Sequence, residues 1–573
     1  MMRFVRSRLF ASSFGALVLI LAACAPGQSP AASQATNGTA SGSTVAAAPK
    51  RITAAIAGNP SILYWTLAHN SGQTAAGTSS VDDMLNGRLA TYDDRGALVA
   101  QLAETVPTVQ NGLWKVFPDG RMETTWTIRP NVRWHDGAAF TTQDVLFTAQ
   151  LIQDKELAVF RDVRYDAVES IEAVDDRTFT VAWKSPRIEA AEIFTVGSLP
   201  KHILEPIYVS NKAGFTEQRF WGESFIGTGA FKLAEFERGS HLVVRANDEY
   251  VLGRPKLDEV IVRFIPDANA LMANIISGSV DLTLGQTLSL DQASQLHEQW
   301  HDGAILSTVK NMWLADPQHL DPSPSIVGNV DFRRAMLYGL DRQTLADTIG
   351  YGAPVGDSLV SPISADLPLV AGGIVRYSYD PQRAAQMFEQ LGYTRGPDGL
   401  YQDATGERLN VEVRTSAGDA NEKLMLAVAN QWRQLGVATS PLLMSAAQNQ
   451  DAQFRATFPA FSIRSHATGL SFLRYFFHSD VARTPERNFL GSNALRYRNP
   501  EMDGLIERYF ATVAEGPRME IATEAVRHLT SNVVTMNLFH GTSPTVARAT
   551  LANVGPGGER AEQTWNSATW TLR

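Results

Sequence analysis

From Lys50 to the C-terminus the chain mixes apolar runs of two periods, and neither period dominates. Residues 52–56, 124–129, 178–183 and 260–265 read as strands from alternation or β-branched content. Residues 231–245 hold two alternating runs around Arg238-Gly239, the pattern of a hairpin. Helical spacing covers 268–277, 330–350, 382–391 and 422–435, and 409–413 reads as a further strand. Asp380-Pro381 supplies a cap and a first-turn proline, and Gly392 and Gly436 stand where helices end. Thr141-Thr142-Gln143-Asp144 resembles a capping box ahead of Val145, Leu146 and Phe147. Strands and helices mix without strict alternation. The expected fold class is therefore α/β, with a β-rich segment near 95–195. About 520 residues are too many for one core, so two or three domains are expected.

The N-terminus reads as an export signal. Arg3, Arg6 and Arg8 are followed by an apolar stretch over 9–22, shorter than the roughly 20 residues a membrane-spanning helix needs. It ends in Leu21-Ala22-Ala23-Cys24, which resembles a bacterial lipobox, and Cys24 is the chain's single cysteine. A lone thiol closes no intramolecular disulfide, so a lipid-attachment site is the expected use. Residues 25–50 are Ala, Ser, Gly, Thr, Gln and Pro with almost no bulky apolar side chain, and read as a disordered tether. The expected location is extracytoplasmic, held to the membrane by the lipid.

The net charge of −9 comes with no basic block, which argues against a nucleic-acid partner. No G-x-x-x-x-G-K-[ST] is present, so ATP hydrolysis must belong to a partner subunit. No G-x-S-x-G elbow appears either, and the body holds no cysteine nucleophile. This reading calls for no enzyme activity, no cofactor and no metal.

Several segments, in order, carry a resemblance. Trp126 to Asp144 includes Arg129, Val132 and Trp134-His135-Asp136-Gly137, and Ile226-Gly227-Thr228-Gly229-Ala230-Phe231 follows. Asp331-Phe332-Arg333-Arg334-Ala335 precedes Leu340-Asp341-Arg342, and Tyr379-Asp380-Pro381 precedes Leu391-Gly392-Tyr393. Together they resemble family 5 of the bacterial extracellular solute-binding proteins, which includes dipeptide and oligopeptide receptors of ABC importers. The resemblance implies a two-lobed periplasmic-binding-protein-like fold (type II, with an extra β-rich subdomain) hinged between the lobes. Lobe I would be 51–280 with a return at 525–573, and lobe II 281–524. It further implies a monomer that captures a peptide or related small solute in the cleft. Delivery would be to membrane permeases with cytoplasmic ATPases. An opine, a sugar or another anionic solute is the alternative cargo, and signalling the alternative role. Most motif residues are expected to be scaffold, with Arg333 and Asp341 pairing or capping.

Peptide receptors of this family neutralise the ligand's amino terminus with an Asp in a Gly-Trp-x-x-Asp-Tyr segment. The corresponding stretch, 461–469, lacks that Asp and Trp and carries Arg464 and His466 instead. An arginine here suits a carboxylate or phosphate, or it pairs within the lobe. Arg414 is a second candidate for a ligand carboxylate. Tyr64, Trp65 and Trp313 are candidate aromatic contacts, with core packing as the alternative.

His297-Glu298-Gln299-Trp300-His301 fits the H-E-x-x-H pattern of zinc hydrolases, where i and i+4 imidazoles share a helix face. Asp302-Gly303 ends any helix at the second His, and only Asp316 and His319 lie near as further ligands. Zinc hydrolysis is thus the remote alternative.

Overall fold

The computed structural model describes residues 48–573. The signal-peptide reading, Cys24 and nearly all of the 25–50 tether lie outside the described residues. Among the described residues no helix is long and apolar enough to cross a membrane.

One ten-stranded sheet runs through the body. Its order is Ala438–Met444, Asn410–Ser416, Phe461–His466, Gly303–Pro317, Met536–Arg548, Leu282–Thr283, Arg51–Ile56, Glu259–Phe264, His241–Ala246 and Phe231–Glu237. The two long central strands, Gly303–Pro317 and Met536–Arg548, pair antiparallel from Gly303↔Arg548 to Ala315↔Met536. At one end they meet Leu282–Thr283 through Leu282↔Ala547. At the other end Met312 to Pro317 pairs with His466 to Phe461. These two strands are the hinge.

Each side of the hinge has its own core. The first gathers Ile52, Phe160, Trp221 and Leu282 with Ala547 and Trp570, so both ends of the sequence contribute. The second gathers Ala315, Phe332, Phe388, Trp432, Phe461 and Phe539. A third fills the four-stranded sheet Trp114–Val116, Met122–Thr127, Thr178–Trp183, Val168–Ala173, which is the β-rich subdomain. Leu288, Leu296 and Trp300 pack with Ala55 and Val546 on the first side. Val526, Leu529 and Val534 pack with Leu359 and Phe477 on the second. Between the two cores the central strands carry a bulge near Val309–Asn311, opposite Gly541.

Local rules explain most elements. Thr141 and Asp144 form the capping box that starts Thr142–Gln153. Gly436 adopts φ +103 and stops Asp419–Leu435. The expected 330–350 helix is two helices, Val330–Tyr338 and Arg342–Thr348. Asp341 caps the second, accepting from the Thr344 amide at 3.0 Å. Arg333 does not pair with it; its guanidinium donates to the carbonyls of Val327, Gly328, Asn532 and Val533.

Two motifs of the resemblance touch each other. The Gly227 amide donates to His135 Nδ1 at 3.2 Å, and His135 Nε2 lies 3.1 Å from the Gly229 carbonyl. Burial lowers the His135 pKa to about 4, so the ring is neutral at pH 7 and can accept on one nitrogen while donating from the other. Gly227 has no room for a side chain: a Cβ there would lie 2.0 Å from the Leu85 carbonyl oxygen, which is backbone and cannot turn away. Gly227→Ala is expected to cost about 1–3 kcal/mol, the usual range for overpacking, read as a lower urea midpoint. An unchanged midpoint would show that the contact relaxes freely.

Candidate functional site

Side chains alternate across the hinge strand Gly303–Pro317. Beyond the bulge at Lys310, the side chains of Met312, Leu314 and Asp316 share its front face. Arg464 and His466 join them, because they pair opposite Leu314 and Met312. Asn311 and Trp313 point to the rear.

The lobe II end of the front face is strongly charged. Asp316 is fully buried. Arg464 Nε lies 3.0 Å from its Oδ2 and His466 Nε2 lies 3.4 Å away. Burial raises the Asp316 pKa to about 6, against the lowering pull of Arg464. His466 stacks on Phe476 at 4.4 Å and is held neutral, with a pKa lowered to about 3 by burial and by Arg464 and Arg483. Arg483 is itself lowered to about 10 by burial and by the charges of Arg464 and Arg455. Arg464 faces Asp316, and Arg483 stands between the charges of Arg464 and Arg455. Arg464 Nε and Nη2, Arg455 Nε and both Asp316 oxygens have no hydrogen-bond partner among the described residues. Buried donors without acceptors are costly unless something fills them. Donors and acceptors are both unfilled here, and the guanidiniums outnumber the one carboxylate, a surplus of positive charge that suits an anion.

The other end, where the β-rich subdomain meets lobe II, is acidic. A cavity of about 80 Å³ is lined by Glu189, Asp366, Thr468, Tyr509, Glu559 and Arg560. Burial raises the pKa of Glu189, Asp366 and Glu559 alike. Thr468 of lobe II donates to Glu559 of the C-terminal segment, so this contact spans the lobes. Arg560 is taken up by Glu192 at 2.7 Å. A wider recess of about 900 Å³ continues outward from Glu192, Asp366, Tyr509 and Arg560.

On the lobe I side, Trp65, Ser79, Lys310, Thr545 and Glu562 line a cavity of about 310 Å³. Lys310 Nζ donates to the carbonyls of Gly558 at 2.5 Å and Ala561 at 3.1 Å. It thereby pins the loop that carries Glu559 to the hinge.

The residues expected from sequence fall into distinct places. Arg464 and His466 stand together at the charged front. Trp65 lines the front cavity and stacks on His69 at 5.2 Å. Trp313 lines a neighbouring interlobe cavity of about 400 Å³ that shares Gln286 and Ser543 with the cavity at Trp65. Tyr64 is a core residue instead of a ligand contact: it is 1% exposed, packs against Phe160 and Trp221, and donates to the Gly197 carbonyl at 3.0 Å. Arg414 is also spent internally. It donates to Glu412 at 2.5 Å and to the Phe454 carbonyl at 2.9 Å, and lies over the Phe454 ring. It positions the turn that presents Arg455.

The H-E-x-x-H match does not form a helical pair. The helix Leu290–Gln299 ends before His301, and His297, Glu298 and His301 are exposed. Among the described residues no group of three His, Cys, Asp or Glu is placed to hold a metal. His319 bonds the Val534 carbonyl at 2.9 Å, and Asp316 faces Arg464.

Sequence reading missed Lys310, Arg455, Arg483, Asp366, Glu189 and Glu559 as site residues. They come from segments far apart in the chain, and no local spacing links them.

Two lobes on a two-strand hinge, with a charged cleft between them, define a two-lobed solute-binding protein. The model of bacterial extracellular solute-binding proteins, family 5 Middle, matches residues 99–482, and the chain belongs to this family. It is 26% identical over 379 residues to the oligopeptide-binding protein AppA of Bacillus subtilis (strain 168). That match covers 65% of this chain and 66% of that protein. The structure of AppA from Bacillus subtilis in complex with a nonapeptide superposes with a TM-score of 0.68 at 21% identity, over 92% of this chain and 100% of that one. NikZ from Campylobacter jejuni in complex with Ni(L-His) superposes with a TM-score of 0.71 at 19% identity, over 91% of this chain and 100% of that one. At these identities the structures speak for the fold alone.

Proposed function

We propose that this chain is the capture subunit of an ABC importer and encloses short peptides between its lobes. The supporting observation is the polarity of the cleft. Arg455, Arg464 and Arg483 outnumber Asp316 at one end, and Glu189, Asp366 and Glu559 crowd the other. A zwitterion with a carboxylate and an ammonium at opposite ends satisfies both. Glu559 supplies from the C-terminal segment the carboxylate that is missing from 461–469. Arg464 and Thr468 are four residues apart, at most about 13 Å of extended chain. That distance suits a ligand of about three or four residues.

Closure follows from differential affinity: a ligand that touches both lobes favours the closed state and needs no chemical step. We assign Cys24 the lipid anchor, and 25–50 the tether that keeps a monomeric receptor beside its permeases outside the cytoplasm.

A second reading, a non-peptide anionic solute such as an opine, draws on the same arginines. A thermal-shift screen separates the two. Binding to the native state stabilises by mass action, about 2.7 kcal/mol at a hundredfold excess over Kd. Tri- and tetrapeptides are expected to raise the melting temperature and neutral sugars to leave it unchanged. Opines that shift it while peptides do not would overturn the peptide assignment.

A further inference from the structure

The hinge strand Gly303–Pro317 carries one residue more than its partner. Val309 pairs with Thr542 and Asn311 with Gly541, so Lys310 between them is left unpaired and forms the bulge. A bulge interrupts the ladder and concentrates twist, so the strands bend most readily there. Lys310 thus stands where the two lobes turn about each other. Its Nζ donates to the carbonyls of Gly558 and Ala561, 248 and 251 positions further along the chain.

Both carbonyls belong to one tight turn, the strap 557–561. Gly557 holds φ +76, and a Cβ at Gly558 would lie 2.7 Å from the Asp94 carbonyl oxygen, so the strap lies directly on the backbone of lobe I. The base of the strap is fixed to the same lobe. Gln563 Nε2 donates to the Thr283 carbonyl at 2.9 Å, and the Ser79 hydroxyl donates to Glu562 at 3.1 Å. The tip faces the other lobe, where Glu559 accepts from the Thr468 hydroxyl. Lys310 therefore joins the bending point of the hinge to a carboxylate that reaches across the cleft.

We propose that Lys310 is a positioning residue for capture: it ties the strap to the hinge bulge, so that the hinge angle sets where Glu559 stands and Glu559 meets lobe II as the lobes close. One ammonium bonded to two carbonyls of the same turn holds that turn at a fixed height over the hinge strand. The bulge twists as the lobes turn, and the strap tip moves with it. The use of Glu559 as acceptor for a ligand's ammonium rests on the proposed peptide reading; the link from hinge to strap does not. Methionine at position 310 keeps an unbranched apolar side chain but donates nothing, while arginine still donates.

The test has two arms. Hydrogen exchange on the ligand-free protein compares the lobe II amides 467–470 with the lobe I amides 241–246. Lys310→Met is expected to speed exchange at 467–470 at least about tenfold and to leave 241–246 unchanged, and Lys310→Arg to restore the slow exchange. Calorimetry then compares a tetrapeptide with its N-acetylated form. Wild type is expected to prefer the free amine at least about tenfold, Lys310→Met to bind the two forms within about threefold of each other, and Lys310→Arg to recover the preference. Exchange at 467–470 in Lys310→Met that is no faster than at 241–246, or a full amine preference in that variant, would overturn the proposal. Equal binding of the two peptides by wild type would instead contradict the peptide reading of the acidic end, and the exchange arm alone then decides the role of Lys310.

Discussion

Arg464→Met is expected to destabilise the protein by about 3 kcal/mol at neutral pH, the lower end of the cost of breaking a buried ion pair. The buried Asp316 loses its nearest cation, 3.0 Å away. The loss is not larger because removing Arg464 also relieves its repulsion with Arg483. The effect has a definite pH sign. Burial holds Asp316 at about 6 in the folded protein, above the roughly 3.9 of an unfolded chain. The folded state therefore keeps a proton that the unfolded state releases. The resulting stability is fully present below about pH 4 and is lost as pH rises through 6. Without Arg464 the Asp316 pKa climbs further, so the variant regains stability on acidification from pH 8 more steeply than wild type. The double variant Asp316→Asn, Arg464→Met is expected to recover most of the loss and to flatten this dependence, without regaining ligand. Urea midpoints at pH 5 and pH 8 measure both effects. Equal losses at the two pH values would show that Asp316 does not depend on Arg464.

Trp432→Ala is expected to cost about 3–5 kcal/mol, the range for deleting a large buried aromatic. Trp432 is fully buried, its ring lies 4.6 Å from Phe461, and its Nε1 donates to the Met336 carbonyl at 3.0 Å. Alanine leaves a void and orphans that carbonyl. Phe461 opens the strand that carries Arg464 and His466, so the void lies directly beneath the charged front. Trp432→Phe keeps most of the volume and loses mainly the hydrogen bond, about 1 kcal/mol. A lower urea midpoint with an unchanged slope marks a stability effect on an intact two-state fold. Similar losses in the two variants would mean that the hydrogen bond, not the packing, is the larger part.

Local signals made the scaffold readable. The capping box at Thr141, the glycine stop at Gly436 and the hairpin around Arg238-Gly239 each depend on a few neighbouring residues, and each formed as expected. Periodicity failed where a cap interrupts a continuous apolar stripe, as at Asp341, because the stripe runs on through Leu340 and Leu345 while the backbone breaks. The lobe limits have no local signal for a related reason. The helix Glu515–Ser531 carries no mark of which core it joins, and only packing shows that Val526 and Leu529 face the second side. The cleft was the least legible part. Arg464 and His466 were visible because they replace residues of a known segment, yet their partner Asp316 lies on a strand well over a hundred positions earlier. Tyr64 and Trp65 are adjacent, and sequence treated them alike. The start of the helix Trp65–Asn70 turns one into the core and leaves the other at the cavity.

The polarity of the cleft makes one comparison decisive: titration of the same tetrapeptide with a free carboxylate and with an amidated C-terminus. If Arg455, Arg464 and Arg483 receive the ligand's carboxylate, the amide should bind at least about a hundredfold more weakly, since a charge-assisted pair is replaced by donors left unfilled, a difference near 3 kcal/mol. Acid and amide binding with equal affinity would contradict the account of the cleft.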